Sequence, residues 1–388
     1  MRIDSHIHFP PPSMAENLAA FSEQEPYWGL LLTPDPVNHT VQGWATPERM
    51  IDDMDKAGID KVVLLGVYRH TTESCQDTNN DTLDIIRRWP DRVIGFAVVQ
   101  PTPVESALDE LKRCLDGGMQ GVGELNPYGQ GLAFDDPRFL RVVEACIEYD
   151  IPLNLHVNEE VGHFYLGKTV TPLGNYYQLA LQYPELQLIL AHWGGGIFFY
   201  EIMPEVKRVM KNVWYDLAAS PLIFPTNAIF RAALATVSHK KLLFGSDYPL
   251  LIYPRTQTEP DFRPFLAELD SLGLEEGVYA DVMGLNAARL FGLIADEQSS
   301  EAASTAATPP HMTNTGAAAP TAPISEYMAV RVIASTWPQT RSVFEKHNLP
   351  WEDCPVPFWE PLAQSAAARG IGPMARRRLL EELNEAIN

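Results

Sequence analysis

The chain has 388 residues, 46% of them hydrophobic and 20% charged, which suits a globular protein with a sizeable core and excludes disorder throughout. That length exceeds one ordinary domain and accommodates a barrel of about 250 residues with a smaller unit beside it. With 29 Lys and Arg against 50 Asp and Glu, the formal charge is −21; it repels phosphate backbones and anionic membranes, so neither nucleic acid nor a membrane is expected as a partner.

The sequence opens MRIDSHIHF, without the long apolar core of a signal peptide. No apolar run of about 18 residues offers a membrane span. The four cysteines (Cys75, Cys114, Cys146, Cys354) show no CxxC spacing, so reduced thiols and a cytoplasmic location are expected. Short apolar runs bounded by turn residues predict strands over Arg2–Phe9, Lys61–Val67, Val93–Val99, Gln120–Leu125, Ile151–Val157, Gln187–His192, Val213–Leu217 and Lys241–Ser246. Between them, helical spacing or start signals such as Thr46-Pro47-Glu48 predict helices over Pro47–Gly58, Asn79–Trp89, Pro103–Gly117, Asp136–Tyr149, Tyr176–Tyr183 and Pro204–Lys211. This alternation predicts a TIM-like (β/α)8 barrel, an α/β fold, over residues 1–294. An open doubly wound sheet is the competitor, but no GxGxxG turn follows the first strand.

Composition changes near Ala295. Residues 295–323 are rich in Ala, Ser, Thr and Pro without apolar period and are expected to form a disordered linker. Residues 324–388 regain aromatics and periodicity, ending RRRLLEELNEAI over Arg376–Ile387, and predict a small C-terminal helical domain.

The first strand reads Asp4-Ser5-His6-Ile7-His8. Residues two apart on a strand share a face, so His6 and His8 can reach one ion together. His156 ends the run IPLNLH, His192 ends QLILAH, and Asp247 follows LLFGS. All are placed at the C-terminal ends of strands, where barrel enzymes build their sites. Four histidines and an aspartate on one rim are hard to obtain from packing alone, and their nitrogen and oxygen donors suit zinc, manganese or iron. Zinc is the first expectation, as one ion or two.

With these pieces in place, the chain resembles the amidohydrolase superfamily, in particular the amidohydrolase-related branch that also contains aminocarboxymuconate-semialdehyde decarboxylase and related decarboxylases. The matching text is DSHIH, NLH, LAHWGGG and FGSDYP, in that order. The resemblance covers roughly the first 290 residues and implies a distorted barrel with His6, His8, His156 and Asp247 as metal ligands. It implies for His192 a second metal or contact with the substrate and activated water. A divalent ion lowers the pKa of a water from about 15.7 towards about 7; Asp247 could then accept its proton, and His192 could steady a developing oxyanion. A carboxylate that merely caps the turn before Tyr248-Pro249 is the alternative for Asp247.

Glu124, in QGVGELNPY, ends the fourth predicted strand. Some hydrolases of the superfamily place a metal-bridging glutamate there, whereas the mononuclear decarboxylases are not marked by one. Glu124 is therefore read either as a metal ligand or as a residue that orients a ligand histidine. Other rim residues are Arg69, His70, Asn126, Tyr128, His163, Tyr165 and Trp193. Arg69 could bind a substrate carboxylate through its planar fork or simply face solvent. Trp193 could wall a pocket or fill core, and Gly194–Gly196 gives the chain room to turn.

The tail, through Trp337–Phe344, Pro361-Leu-Ala-Gln and the closing LLEELN, resembles a helical domain of the DUF1858 type, found beside iron–sulfur and redox proteins. That family often carries a cysteine pair between its helices, and only Cys354 stands here. The tail is read as a packing module or a place for a protein partner, and a homodimer is the expected assembly. The function expected first is a metal-dependent hydrolase acting on a small polar substrate. The alternative is a metal-dependent non-oxidative decarboxylase of an unsaturated or aromatic acid. A metal-binding scaffold without catalysis is the third reading, weakened because no ligand is missing.

Overall fold

Each apolar run read as a strand forms one, shortened mainly at its C-terminal end: β1 Ile3–Ile7, β2 Lys61–Leu64, β3 Val93–Ala97, β4 Gly121–Leu125, β5 Leu153–Leu155, β6 Leu188–Leu190, β7 Val213–Asp216 and β8 Leu242–Leu243. The computed structural model describes residues 1–32, 40–163, 165, 167–169, 171–295, 324, 328, 330–349, 351, 362, 365, 366, 369, 371 and 373–387. The eight strands are parallel and follow one another in chain order around the sheet. Last and first strands meet through an isolated parallel bridge between Ile7 and Tyr248. The Ser5 amide donates to the Phe244 carbonyl (2.7 Å) and the Asp247 amide to the His6 carbonyl (2.9 Å) across the same seam. The result is a TIM-like (β/α)8 barrel.

The strands are buried on both faces, which explains why they read as continuous apolar runs rather than alternating ones. Their runs leave the ladder early because the chain bends outward at the rim, where it presents polar side chains. β8 is the extreme case. The Phe244 amide, just beyond it, donates to the Val282 carbonyl rather than to a strand.

Among the helices, α4 (Pro47–Ala57) starts as its sequence predicts, with the Thr46 hydroxyl accepting from the Arg49 amide and Pro47 in the first turn. α5 spans Thr72–Arg88, beginning seven residues before the helix read from periodicity. Its inward face carries Cys75, Asn79 and Thr82, so the apolar period is masked there. Asn79 is buried because it serves the end of β3, donating to the Val98 carbonyl (2.8 Å) and accepting from the Val98 amide (2.9 Å). α6 (Val104–Asp116), α7 (Pro137–Glu148) and α8 (Leu173–Gln182) match their expected segments closely.

Between β1 and α4 lie three short helices that periodicity does not reveal: α1 Pro12–Glu16, α2 Leu18–Gln24 and α3 Pro26–Leu32. They are held to the chain after β2. The Trp28 indole donates to the Tyr68 carbonyl (2.6 Å), and the Glu25 carboxylate accepts from the His70 amide (2.9 Å).

The chain divides into two compact units, Met1–Glu297 and Gln298–Asn388. The second unit contains helices Val330–Thr336, Arg341–Lys346 and Pro373–Ile387 and its own core of Ile333, Ala334, Phe344, Leu349, Leu379 and Leu383. The expected linker lies outside the described residues apart from Ala295, as does Cys354. Among the described residues no helix is long and apolar enough to cross a membrane.

Candidate metal centre

β1 delivers His6 and, one residue past its end, His8; the two Nε2 atoms lie 3.1 Å apart. Asp247, from the turn after β8, places Oδ1 3.6 Å from His8 Nε2 and 3.9 Å from His6 Nε2. Glu124 of β4 brings Oε2 within 3.5 Å of His8 Nε2 and 4.0 Å of His6 Nε2. Its other oxygen, Oε1, faces the opposite way, 2.8 Å from His156 Nδ1 and 3.3 Å from His192 Nε2. Those two nitrogens are 3.1 Å apart. One carboxylate thus stands between two donor groups, His6–His8–Asp247 on one side and His156–His192 on the other. All six residues singled out in the sequence meet at one place.

Hydrogen bonds on the far sides of three rings fix what they present inward. His6 Nδ1 lies 2.8 Å from Asp216 Oδ2, His8 Nδ1 3.2 Å from the Leu65 carbonyl and His192 Nδ1 3.1 Å from the Ala218 carbonyl. A carboxylate and two carbonyls can only accept, so each Nδ1 donates and each neutral ring turns a lone pair inward on Nε2. Two such lone pairs 3.1 Å apart repel unless a cation lies among them. The residues therefore fit a divalent ion. The donor set, imidazole nitrogen with carboxylate oxygen, suits zinc, manganese or iron.

The electrostatics agree. Burial opposes a charge on His6, yet Asp216, then Glu124 and Asp247, raise its pKa to about 10. Burial likewise opposes charge on His192, and Glu124 and Asp247 carry it up to about 9. Burial alone would raise the Glu124 carboxyl, but His156, His192 and His8 hold it well below the usual carboxylate range. The carboxylates thus favour positive charge at the place where the rings converge.

Backbone geometry at the rim is unusual where it aims these groups. His192 (φ 57°), Trp193 (φ 59°) and Asp247 (φ 67°) are left-handed, each at about 1–3 kcal/mol that surrounding packing must offset. Gly123 has φ 138° and sits so close to β5 that a Cβ there would meet the Asn154 carbonyl at 2.7 Å. Only glycine allows Glu124 to follow in this position.

Asp216, at the end of β7, was not singled out from the sequence. It is fully buried; Oδ2 holds His6 Nδ1, and Oδ1 accepts from the His192 amide (3.0 Å) and the Ala218 amide (3.1 Å). Opposed by burial but favoured by His6, its carboxyl is held below the ordinary value. The signal available was an aspartate closing the run VWYD on the same rim. Asp4 was passed over too. Its Oδ1 accepts from the His6 amide (3.1 Å) and the Ser246 amide (3.0 Å), joining the seam, while burial pushes its carboxyl up to about 7.

The remaining rim residues divide. Arg69 does not face solvent: it is buried, with its guanidinium 5.0 Å from the Phe21 ring and 5.9 Å from the Trp28 ring. Trp193 fills core, donating to Ser220 Oγ (2.8 Å) and packing on Phe230. Asn126 and Tyr128 bond to neighbouring side chains, Asn126 to Thr169 (2.8 Å) and Tyr128 to Asn175 (3.3 Å). His70 is exposed. His163 and Tyr165 line a cavity of about 530 Å³, along with His8, Glu124, His156, His192 and Asp247.

The sequence matches the amidohydrolase family over residues 3–293. The chain belongs to the amidohydrolase family. This family member is 24% identical over 309 residues to 4-sulfomuconolactone hydrolase of Rhizobium radiobacter, covering 75% of this chain and 90% of that protein. It is 22% identical over 237 residues to 2-amino-3-carboxymuconate-6-semialdehyde decarboxylase of Dictyostelium discoideum, covering 51% of this chain but only 64% of that protein. A 5-carboxyvanillate decarboxylase from Novosphingobium aromaticivorans, solved with manganese and a nitrobenzoic acid, shares the fold at TM-score 0.57 and 17% identity, over 75% of this chain and 96% of that one. These named proteins are enzymes, two decarboxylases and a hydrolase.

Proposed function

We propose that this chain is a metal-dependent hydrolase that uses a pair of divalent ions on a small-molecule substrate. The observation that carries the reading is Glu124, whose two oxygens face different donor groups. His6, His8 and Asp247 would hold one ion and His156 and His192 the other, with Glu124 shared. When bound, the ions supply Lewis acidity and lower the pKa of a water. Zinc is the first choice, with manganese and iron suited to the same donors.

The chain's own residues then divide the work. Asp247 accepts a proton from the attacking water and returns it to the leaving group as the carbon–heteroatom bond breaks. His192, whose Nδ1 is tied to the Ala218 carbonyl, would keep its Nε2 lone pair turned to the second ion. Asp216 fixes the rings of His6 and the backbone of His192, so the nitrogens need no reorganisation.

Non-oxidative decarboxylation is the second reading, supported by the names of the decarboxylase relatives. Elemental analysis of protein purified without chelator, with a screen of lactones, esters and amides against carboxylic acids, tests both. About two ions per chain with uptake of water supports the hydrolase. One ion per chain with carbon dioxide release overturns it in favour of the lyase.

A further inference from the structure

Above its polar floor, the cavity that holds the candidate metal centre is walled by apolar side chains. Trp28 and Leu31 come from α3, Val41 from the segment after it, and Phe224 from the loop following β7. The apolar surface continues to the mouth, where Leu30, Val161 and Leu222 line the cavity at 51%, 92% and 37% exposure. Large aliphatic side chains left in water around an opening mark a surface that an apolar partner covers.

Charge points the same way. Beyond the metal centre's own Glu124 and Asp247, the cavity is lined by Glu159, which is paired with Lys168, and Arg69 is the one guanidinium or ammonium among the described residues lining it. Arg69 is only 6% exposed; its Nε donates to Thr78 Oγ1 (3.2 Å), and its guanidinium lies near the rings of Phe21 and Trp28. A substrate with several carboxylates would lose water without meeting an accessible cation beyond the metal centre. An aliphatic chain or aryl body would lose only unfavourable contacts with water.

We propose that the substrate carries one polar reacting group, which sits on the metal centre, joined to a bulky apolar body that fills the space between α3 and the loop after β7. The inference rests on the metal-dependent reading above and narrows its substrate to hydrophobic esters, lactones or amides. It departs from the expectation of a small polar substrate by adding an apolar body to the polar reacting group.

Calorimetric titration of the full-length, metal-loaded protein with two homologous series tests this. One series is straight-chain hydroxamates from acetohydroxamate to decanohydroxamate, whose head chelates metal; the other is n-alkanols of matching length. Each added methylene is expected to tighten binding about four-fold in both series until the cavity is filled. The double variant Leu222→Asn/Ile223→Asn, at the half-exposed edge of the wall, is expected to flatten that dependence. Affinity independent of chain length, an unchanged slope in the variant, or succinic monohydroxamate binding more tightly than octanohydroxamate would each overturn the proposal. The metal reading is scored separately. Acetohydroxamate binding no better than ethanol, with the chain-length slope intact, would sink the metal reading and leave the apolar subsite standing.

Discussion

Replacing Asp216 by Asn removes one charge and changes almost no volume, yet the surroundings leave no orientation that an amide can adopt without conflict. Oδ2 receives His6 Nδ1–H (2.8 Å) and the Asn154 amide (3.2 Å), while Oδ1 receives the His192 and Ala218 backbone amides (3.0 and 3.1 Å). If the new NH2 occupies the first position, it faces a ring N–H. His6 must then move its proton to Nε2, which withdraws the lone pair aimed at His8 and Asp247. In the second position the NH2 opposes two backbone donors and pushes His192 away. A buried donor without a partner costs about 1–3 kcal/mol, and loss of a carboxylate behind a ligand histidine lowers metal affinity roughly 10- to 100-fold. The expected result for Asp216→Asn is that loss of affinity, read by competition with a chromogenic chelator, with native far-ultraviolet circular dichroism. Affinity within two-fold of the parent, in folded protein, would refute the idea that Asp216 sets the state of His6.

Glu124→Gln keeps one acceptor oxygen and is expected to reduce bound metal from about two ions per chain to about one, with hydrolysis lost; elemental mass spectrometry and turnover on the same sample check it. The pKa of His6 is raised from 6.5 to about 10, so in metal-free protein its stabilisation is complete below pH 6.5 and disappears as pH rises through about 10. The melting temperature of apo protein should therefore fall between pH 7 and 10, while metal affinity rises over that range because protons compete less; an apo melting temperature that climbs would contradict the charge balance described. Gly123→Ala puts a Cβ 2.7 Å from the Asn154 carbonyl at φ 138° and is expected to destabilise by about 1–3 kcal/mol or more, measured by urea unfolding. Unchanged stability there would show that the backbone before Glu124 relaxes freely.

The barrel was legible because parallel strands covered on both faces read as uninterrupted apolar runs, and the metal-centre candidates because histidine and carboxylate are conspicuous when they close such runs. Asp216 closes a run too, but nothing in sequence shows that it touches His6, 210 residues away. α5 began early because Asn79 and Thr82 face inward to serve neighbouring elements, which erases the apolar period. α1–α3 are short, so their placement comes from contacts such as Trp28 with Tyr68 rather than from their own pattern. The burial of Arg69 could not be read for the same reason, since the rings that cover it belong to those helices.

The seam between the first and last strands has a consequence for how the protein comes into being. Ser5 and Phe244, paired across it, are 239 residues apart in the chain, and His8 and Asp247 approach one another across the same line. A nascent chain emerges with His6 and His8 first and must wait for nearly the whole barrel before Asp247 can join them. Capture of an ion by the complete set would therefore be a late event in forming the barrel, open only to chains that have closed the ring. Once captured, an ion held by His6, His8 and Asp247 would act as a clasp on the longest loop in the fold. The entropy of a loop that size grows only logarithmically with its length, so a few strong bonds at the clasp suffice to keep the two ends of the barrel together.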